Sequence, residues 1–374
     1  MTETLIGLVS QYSPSGQERE AVEWLVARMK ALGYNEAFID GAGNAVGVMG
    51  TGPKQVVLLG HIDTVSGEIP VRIVGRDGIP PLPGEETRND IPRYYGEILY
   101  GRGSVDAKGP LACFTDAVAQ IGAASGWQFV VIGAVEEERD SNGARFVVDQ
   151  YKPDFVIIGE PNRWDRVALG YKGSAWANVT VKREQAHTAS GEQTAAEAAI
   201  EAWLAIKSFA ETFNTEKQRA FDKILPTLRG MESGQDGFEQ WARLSVGVRL
   251  PVELSPEQWY LELEKTLKVF ETIRVLVEPV GYPVPAWACE KNSLLVRAFL
   301  NGIRARGGTP SFVYKTGTAD LNIVAPVWKC PAVVYGPGDS ALDHTPNEHI
   351  NLNEYQKAVE TLTAVLQRLS STAV

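Results

Sequence analysis

Histidine and acidic residues follow the apolar segments of this sequence, and these residue types are the ones from which chemistry is expected. Residues 56–59 are all apolar, which is typical of a buried strand, and His61 and Asp63 come just after them. Residues two apart in an extended backbone point to the same side. Because neutral imidazole binds zinc and a neighbouring carboxylate either orients the ring or binds metal itself, the pair indicates a metal site. For this pair alone, a hydrogen-bonded strand end without metal is the more frequent alternative.

The same pattern recurs further along the chain. Other predicted strand ends and loops carry Asp106, Glu136, Glu137, Glu138, Glu160 and His344. Carboxylates gathered at one sheet edge repel one another unless cations lie between them. Imidazoles with carboxylates suit zinc or cobalt better than magnesium or calcium, which prefer oxygen ligands. The number of candidates fits two metals about 3.5–4 Å apart that share a bridging carboxylate and an activated water.

Length and composition set the wider limits. The chain has 374 residues, which suggests two domains, with 44% hydrophobic and 22% charged residues, as in ordinary globular proteins. A net charge of −10 disfavours nucleic acid and anionic membranes as partners. No transmembrane-length run and no secretory signal is evident, and the scattered Cys113, Cys289 and Cys330 are expected to be reduced thiols. These features predict a cytoplasmic protein.

Alternating helices and strands predict an α/β fold whose mostly parallel sheet has helices on both faces. Ser15 and Glu18 predict a capping box that opens a helix through Leu32. Residues 38–48 and 55–60 are predicted as neighbouring strands, and residues 69–96 as loop. Further predicted elements are a helix at 111–121, a strand at 129–135, a helix at 143–151, a strand at 155–158, a helix at 292–306, a strand at 332–336 and a helix at 352–369.

From about residue 170 the pattern changes. Alternating strands are predicted at 175–181, 244–250 and 272–277, helices at 195–212 and 256–267, and a return linker at 279–285. The segment therefore predicts a two-layer α+β domain inserted into the larger one. The predicted boundaries are 1–170 and 284–374 for the larger domain and 171–283 for the insertion.

Six motifs together resemble the zinc-dependent aminoacylase and carboxypeptidase family of metallohydrolases, which includes acetylornithine deacetylase, succinyl-diaminopimelate desuccinylase and glutamate carboxypeptidase. They are GHIDTV at 60–65, GRGSVDAKG at 101–109, the acidic run with SNGAR at 141–145, GEP at 159–161, KTGTAD at 315–320 and HTPNE at 344–348. They span nearly the whole chain. The resemblance implies a zinc-exopeptidase-like fold whose insertion is a lid and dimerisation domain, with two zinc ions per chain and cobalt as a substitute.

The resemblance also implies roles for the strand-end residues. His61, Asp106 and Glu160 would bind one metal, and Asp106, Glu138 and His344 the other, so that Asp106 is the bridge. Asp63 would orient His61. The glutamate that precedes the second-site ligand would be the general base, taking a proton from the attacking water and later protonating the departing amine.

The roles of the three glutamates depend on how they align with the family's motif. The family has Asp-Glu-Glu, of which the first Glu is the base and the second the ligand. Counting back from residues 143–145 without gaps places Glu136 under the Asp, which makes Glu137 the base and Glu138 the ligand. A slip of one residue would make them Glu136 and Glu137. We expect the first register.

The insertion carries further candidates by resemblance. His187 resembles a lid histidine that stabilises the oxyanion, often across a dimer interface. Arg249 resembles a lid arginine that binds a substrate carboxylate, and Gly317 and Thr318 resemble a loop that meets the substrate backbone. The usual Asn-x-Ile-Pro run is missing, since ILPT stands at 224–227, so that contact does not carry over. An isolated loop histidine and a solvated strand end are the alternatives for His187 and Arg249.

The motifs GEP at 159–161, GYKG at 170–173 and RLP at 249–251 most resemble the acetylornithine and acetyl-lysine deacetylase branch of the family. That branch includes enzymes that release lysine or ornithine from a small acidic amino-group carrier protein. The resemblance implies a homodimeric amidohydrolase that releases lysine, or ornithine, from an N-acylated small molecule or a carrier-linked precursor. Lys172 would either bind an acidic part of the substrate or carrier, or be a salt-bridged structural lysine.

Two alternatives stay open. The same metals would serve a dipeptidase or a succinyl-diaminopimelate desuccinylase, and a non-catalytic metal-binding protein would keep the fold without turnover. An intact general-base glutamate argues against the second alternative, because a binding module does not need one. The sequence leaves open the acyl group, the preference for lysine or ornithine, and the physiological metal.

Overall fold

The computed structural model describes residues 2–75, 97–268 and 274–371. The chain forms two compact units. The larger unit comprises Met1–Leu169, Cys289–Val313 and Ala319–Val374, and the smaller unit comprises Gly170–Ala288 and Tyr314–Thr318. Among the described residues, no helix combines the length and the apolar character needed to cross a bilayer.

The elements up to residue 171 alternate between helix and strand. They are α1 (Glu3–Val9), α2 (Arg19–Ala31), β1 (Glu36–Ile39), β2 (Ala45–Met49), β3 (Lys54–His61), β4 (Arg72–Val74), β5 (Ile98–Tyr100), α3 (Lys108–Ile121), β6 (Trp127–Ala134), α4 (Asn142–Val147), β7 (Phe155–Gly159) and β8 (Arg166–Tyr171). The remaining elements are β9 (Gly173–Glu184), α5 (Ala195–Asn214), β10 (Leu225–Asp236), β11 (Glu239–Leu250), α6 (Pro256–Leu267), β12 (Arg274–Val284), β13 (Trp287–Ala288), α7 (Leu294–Ala305), β14 (Ser311–Lys315), α8 (Leu321–Trp328), β15 (Ala332–Val334), β16 (His349–Asn351) and α9 (Leu352–Ser371).

The sheet of the larger unit has the strand order β1-β2-β6-β3-β7-β15-β8. Its centre, β6-β3-β7-β15, is parallel, whereas β1, β2 and β8 pair in antiparallel fashion. The central strands are nearly continuous apolar runs, because a parallel sheet is covered on both faces. The prediction of an α/β fold with a mostly parallel sheet is therefore confirmed.

The register of the central strands brings their carboxyl ends to one edge. His61 at the end of β3 pairs with Ala134 of β6, and Gly60 pairs with Gly159 of β7. The two glycines let α3 approach the sheet closely, since a Cβ on Gly159 would lie 2.9 Å from Phe114 Cε2 and 3.1 Å from the Cα of Gly60. Residues that follow these strands are thus placed side by side, where ligands bind in such sheets.

The smaller unit contains a separate antiparallel sheet of order β10-β11-β9-β12. Alternate residues of β9, from Ala175 to Val181, are buried in one apolar cluster with α5 and α6. Both helices begin with a capping box, formed by Thr194 with Glu197 and by Ser255 with Gln258. The unit is the two-layer α+β arrangement predicted for the insertion. Unlike the predicted boundaries, the unit also includes Tyr314–Thr318.

Several local predictions were wrong. Ser15 does not cap α2, because the Ser15 hydroxyl donates to Asp63 instead. The N-cap of α2 is Glu18. The strands predicted at 38–48 and 55–60 are not neighbours, because β6 lies between β2 and β3. The linker predicted at 279–285 is mostly the edge strand β12, where prolines are tolerated.

Other differences concern elements that were missed or are not described. No predicted element covered α1, β5, β8, β10, β13, β14, α8 or β16. The loop predicted at 69–96 contains β4, and its part at 76–96 lies outside the described residues, as do residues 272–273 of a predicted strand. The other predicted helices and strands occur, with ends shifted by a few residues.

A buried carboxylate connects three helices of the larger unit. Asp116 of α3 accepts hydrogen bonds from the Thr4 hydroxyl of α1 and, at 2.8 Å, from the Tyr355 hydroxyl of α9. We expect Tyr355→Phe to lower the free energy of unfolding by about 1–3 kcal/mol, because it leaves a buried carboxylate oxygen without its donor. Tyr282→Phe is the control, since that side chain is 60% exposed and water replaces the lost contact. Urea unfolding of both variants measures the difference, and equal losses would contradict it.

Candidate functional site

Two histidines meet one aspartate at the carboxyl edge of the parallel strands. His61 ends β3, Asp106 precedes α3, and His344 lies between β15 and β16. His61 Nε2 is 3.2 Å from Asp106 Oδ1, and His344 Nε2 is 3.1 Å from Asp106 Oδ2. Each carboxylate oxygen of Asp106 thus faces a different imidazole, which is the arrangement expected of a bridging ligand.

Glu138 joins this group from the loop after β6. Its Oε1 is 2.9 Å from His344 Nε2. Ligand atoms of His61, Asp106 and Glu138 all lie within 4.8 Å of one another, so that His61 and Glu138, which the resemblance assigns to different ions, both lie close to Asp106. Glu160, which follows β7, is 8% exposed and is acted on by the charges of His61 and Asp106.

The electrostatics of the site favour a positive charge among its carboxylates. Hydrogen bonds to Asp106 and Glu138 raise the pKa of His344 to about 10. Burial would raise the pKa of Asp106, but hydrogen bonds from His344 and His61 outweigh it and lower that pKa. Burial raises the pKa values of Glu137 and Glu160 well above their usual range, and neighbouring carboxylates add to the shift. Imidazole nitrogens with carboxylate oxygens are the donor set of zinc, so the residues fit a metal.

Asp63 connects His61 to the loop that carries the glutamates. His61 Nδ1 lies 3.0 Å from the backbone carbonyl oxygen of Asp63 and 3.4 Å from Asp63 Oδ1. Asp63 Oδ1 also accepts a hydrogen bond of 3.0 Å from the backbone N–H of Glu137. Its Oδ2 accepts from the N–H of Glu138 at 3.1 Å and from the Ser15 hydroxyl at 2.7 Å. The sequence predicted the contact with His61 but not the backbone contacts, which only the folded chain creates.

The three glutamates have different surroundings. Glu136 Oε1 accepts a hydrogen bond of 2.6 Å from Arg139, and Asn142 donates to its other oxygen. Glu136 also has a left-handed backbone, with φ of 61°, which non-glycine residues rarely adopt. Glu137 is acted on by the charges of His61 and Glu160, whereas Glu138 contacts His344. This arrangement favours the register in which Glu137 is the base and Glu138 the ligand.

The candidate substrate-binding residues of the smaller unit lie at opposite ends of its sheet. Arg249 Nη1 donates to Thr318 Oγ1 at 3.1 Å, and Gly317 precedes Thr318. His187 is exposed, and its Nδ1 accepts a hydrogen bond from the N–H of Ala189 at 3.1 Å. It follows the far end of β9: Ser174 at one end pairs with Arg249, whereas Glu184 at the other pairs with Glu239. The fold of one chain does not bring His187 to Arg249.

Lys172 has a buried ammonium group. Its Nζ donates to the backbone carbonyls of Phe221 at 3.0 Å, Ala220 at 3.3 Å and Lys223. Burial, opposed in part by the charge of Asp222 and assisted by that of Arg249, lowers the pKa of Lys172 to about 8. These contacts favour the alternative in which Lys172 is a structural lysine, whose ammonium group donates to backbone carbonyl oxygens.

Three motifs contained residues whose position the sequence did not explain. Arg102, in the motif at 101–109, forms a buried ion pair with Glu348, in the motif at 344–348. Asp320, in the motif at 315–320, is 2% exposed, and burial raises its pKa to about 7. The signal for all three was their presence in the motifs, although no spacing rule assigned them a partner.

The comparisons with known proteins agree with this geometry. The model of "Peptidase family M20/M25/M40" matches residues 57–368. The chain is 42% identical to "[LysW]-lysine hydrolase" of Deinococcus radiodurans, over 96% of this chain and 94% of the relative. It is 38% identical to "Putative [LysW]-lysine/[LysW]-ornithine hydrolase" of Thermococcus kodakarensis, over 98% and 91% of the two chains.

Solved structures with the same fold are more distant in sequence. The aminopeptidase PepT of Bacillus cereus has a TM-score of 0.76 at 17% identity, with 99% of each chain covered. The metallo-carboxypeptidase Sso-CP2 of Sulfolobus solfataricus has a TM-score of 0.68 at 18% identity, also with 99% of each chain covered. These similarities support the fold.

Proposed function

This chain belongs to peptidase family M20/M25/M40 and is a metal-dependent hydrolase of amide bonds, and we propose that it releases free lysine, and also ornithine, from a carrier-linked precursor. The observation that carries the proposal is the 42% identity over 96% of the chain with a relative named [LysW]-lysine hydrolase. Relatives named for both lysine and ornithine support the wider product range.

We propose two zinc ions, with cobalt as a substitute. His61, Asp106 and Glu160 would hold one, and His344, Asp106 and Glu138 the other. When bound, the ions would polarise the scissile carbonyl and generate the attacking hydroxide at neutral pH. The contacts that support this assignment are those of Asp106 with both imidazoles and of Glu138 with His344.

The remaining steps belong to side chains of the chain itself. Glu137 would take a proton from the attacking water and return it to the departing amine. Asp63 would fix Glu137 and Glu138 through their backbone N–H groups and His61 through its ring, which limits the motion of all three. Arg249 and Thr318 would bind the α-carboxylate of the amino acid, since a guanidinium and a hydroxyl donate to the same anion.

We propose that the chain acts as a homodimer through the smaller unit. Glu184 lies ten positions after Ser174 on β9, a distance on the order of 30 Å at the usual rise of a strand. His187 follows the end of β9 opposite Arg249, so the two could meet one substrate only if they came from different chains. His187 would then stabilise the oxyanion in the site of the partner. The cytoplasmic location expected from the sequence remains a prediction.

A panel of substrates tests the proposed specificity. We expect kcat/KM for the carrier protein loaded with lysine or ornithine to exceed that for dipeptides and succinyl-diaminopimelate by at least about 100-fold, because buried polar groups reject substrates that leave them unpaired. N-acetyl-lysine and N-acetyl-ornithine separate the amino-acid part from the carrier part. Equal rates on dipeptides and on the loaded carrier would contradict the proposal and favour a dipeptidase.

A further inference from the structure

Arg102 and Glu348 form an ion pair beside the candidate metal residues. Arg102 Nη1 donates to Glu348 Oε2 at 2.9 Å, and the two side chains are 6% and 1% exposed. Arg102 Nε also donates to the carbonyl of Gly67 at 2.8 Å. A buried ion pair alone is weak evidence of stabilisation, because the loss of hydration offsets the attraction between the charges. The other contacts of Glu348 indicate that it positions the backbone next to the candidate metal residues.

The second carboxylate oxygen of Glu348 holds the backbone that presents Asp106. Glu348 Oε1 accepts hydrogen bonds from the N–H groups of Val105, at 2.9 Å, and of Asp106, at 3.0 Å. The side chain of Asp106 in turn contacts His61 and His344. A shift of this backbone would therefore change both imidazole contacts together.

Glu348 also belongs to the segment that carries His344. Residues 344–348 lead directly into β16, which pairs with β5 so that His349 faces Tyr100. The N–H of Gly101 donates to the carbonyl of Glu348 at 3.4 Å. Glu348 thus joins the segment of His344 to the segment of Asp106 through both its backbone and its side chain.

We propose that Glu348 is a positioning residue of the metal centre, which sets the placement of Asp106 relative to His344. Arg102 balances the charge of Glu348, so the anchor adds no net negative charge to a site that is already rich in carboxylates. The inference rests on the proposed metal centre, and it concerns metal affinity and not the identity of the substrate.

Zinc titration of the metal-stripped full chain against a chromogenic chelator tests the inference. Glu348→Gln keeps the size of the side chain but removes the charge that holds Arg102 and both N–H groups. We expect it to raise the Kd for zinc by about 10–100-fold, as for other partners that orient metal ligands. The matched control is Glu354→Gln, because Oε1 of half-buried Glu354 also accepts two backbone N–H groups, from Trp164 at 3.2 Å and Gly338 at 3.1 Å. We expect the control to change the Kd by less than about threefold.

The outcomes distinguish a failure of the positioning role from a failure of the proposed metal centre. Wild-type zinc affinity in Glu348→Gln overturns the positioning role, while a wild-type chain that binds no zinc removes the centre itself. If Glu348→Gln does not fold, Arg102→Lys is titrated instead, because lysine keeps the charge but cannot donate to Gly67 and Glu348 from one planar group. A weakened zinc affinity in Arg102→Lys supports the role, and an unchanged one overturns it.

Discussion

Glu137→Gln should abolish most turnover while zinc binding persists. The amide cannot accept the proton of the attacking water, so we expect kcat to fall by about 10²–10⁴-fold, the usual contribution of a positioned general base. Glutamine has nearly the same volume as glutamate, and the backbone N–H of Glu137 still reaches Asp63 in the variant. We therefore expect the zinc content per chain to stay at the wild-type level. Steady-state kinetics on the loaded carrier and metal analysis of the purified variant measure the two quantities.

Glu136→Gln is the matched control for this prediction. The side chain of Glu136 is held by Arg139 and Asn142, so its substitution weakens these two contacts and leaves the proposed base in place. We expect kcat within a few-fold of wild type, about 1 kcal/mol at most in barrier height. The reverse result, a silent Glu137→Gln and an inactive Glu136→Gln, would show that the register is shifted by one residue. Activity in both variants would favour another base.

The sequence was sufficient to predict where the candidate metal-binding side chains gather. Parallel apolar strands that end in polar residues place those residues at one edge, and the structure brings His61, Asp106, Glu138 and His344 together there. It was not sufficient to separate Glu137 from Glu136. The proposed register is supported by the left-handed backbone at Glu136 and by the tertiary contacts of the loop, neither of which a spacing pattern encodes.

The errors have a common physical origin in competition between local and tertiary partners. The serine and glutamate at 15 and 18 have the spacing of a capping box, yet the hydroxyl of Ser15 is 2.7 Å from a carboxylate oxygen of Asp63. When a hydroxyl donates to a buried carboxylate, it satisfies an acceptor that water cannot reach. The free N–H groups at a helix end can instead bond to water or to other side chains. The prolines of β12 similarly indicated a linker, but the strand lies at an edge, where a missing N–H costs no ladder hydrogen bond.

Asp106→Asn should remove both metal binding and activity. Asp106 gives one oxygen to each imidazole, and asparagine replaces one of those oxygens with an NH₂ group that cannot coordinate a cation. The variant also loses the negative charge that favours cations between Glu138 and Glu160. We expect activity to fall by at least about 10³-fold, since the proposed metals would both polarise the scissile carbonyl and activate the attacking water. Zinc analysis should show fewer ions per chain than in the wild type.

Asp116→Asn is the matched control, because Asp116 is also a buried aspartate with two side-chain donors, Thr4 and Tyr355. Lys108 begins α3, and Asp116 lies eight residues further on, which is about 12 Å by the helical rise. We expect Asp116→Asn to lower stability but to keep zinc content and kcat, so that loss of a buried charge alone cannot account for the Asp106 result. Exhaustive chelation of the wild type should reproduce the inactivity of Asp106→Asn, and added zinc should reverse it only in the wild type. Full activity after chelation would rule out the metal centre as the source of the activity.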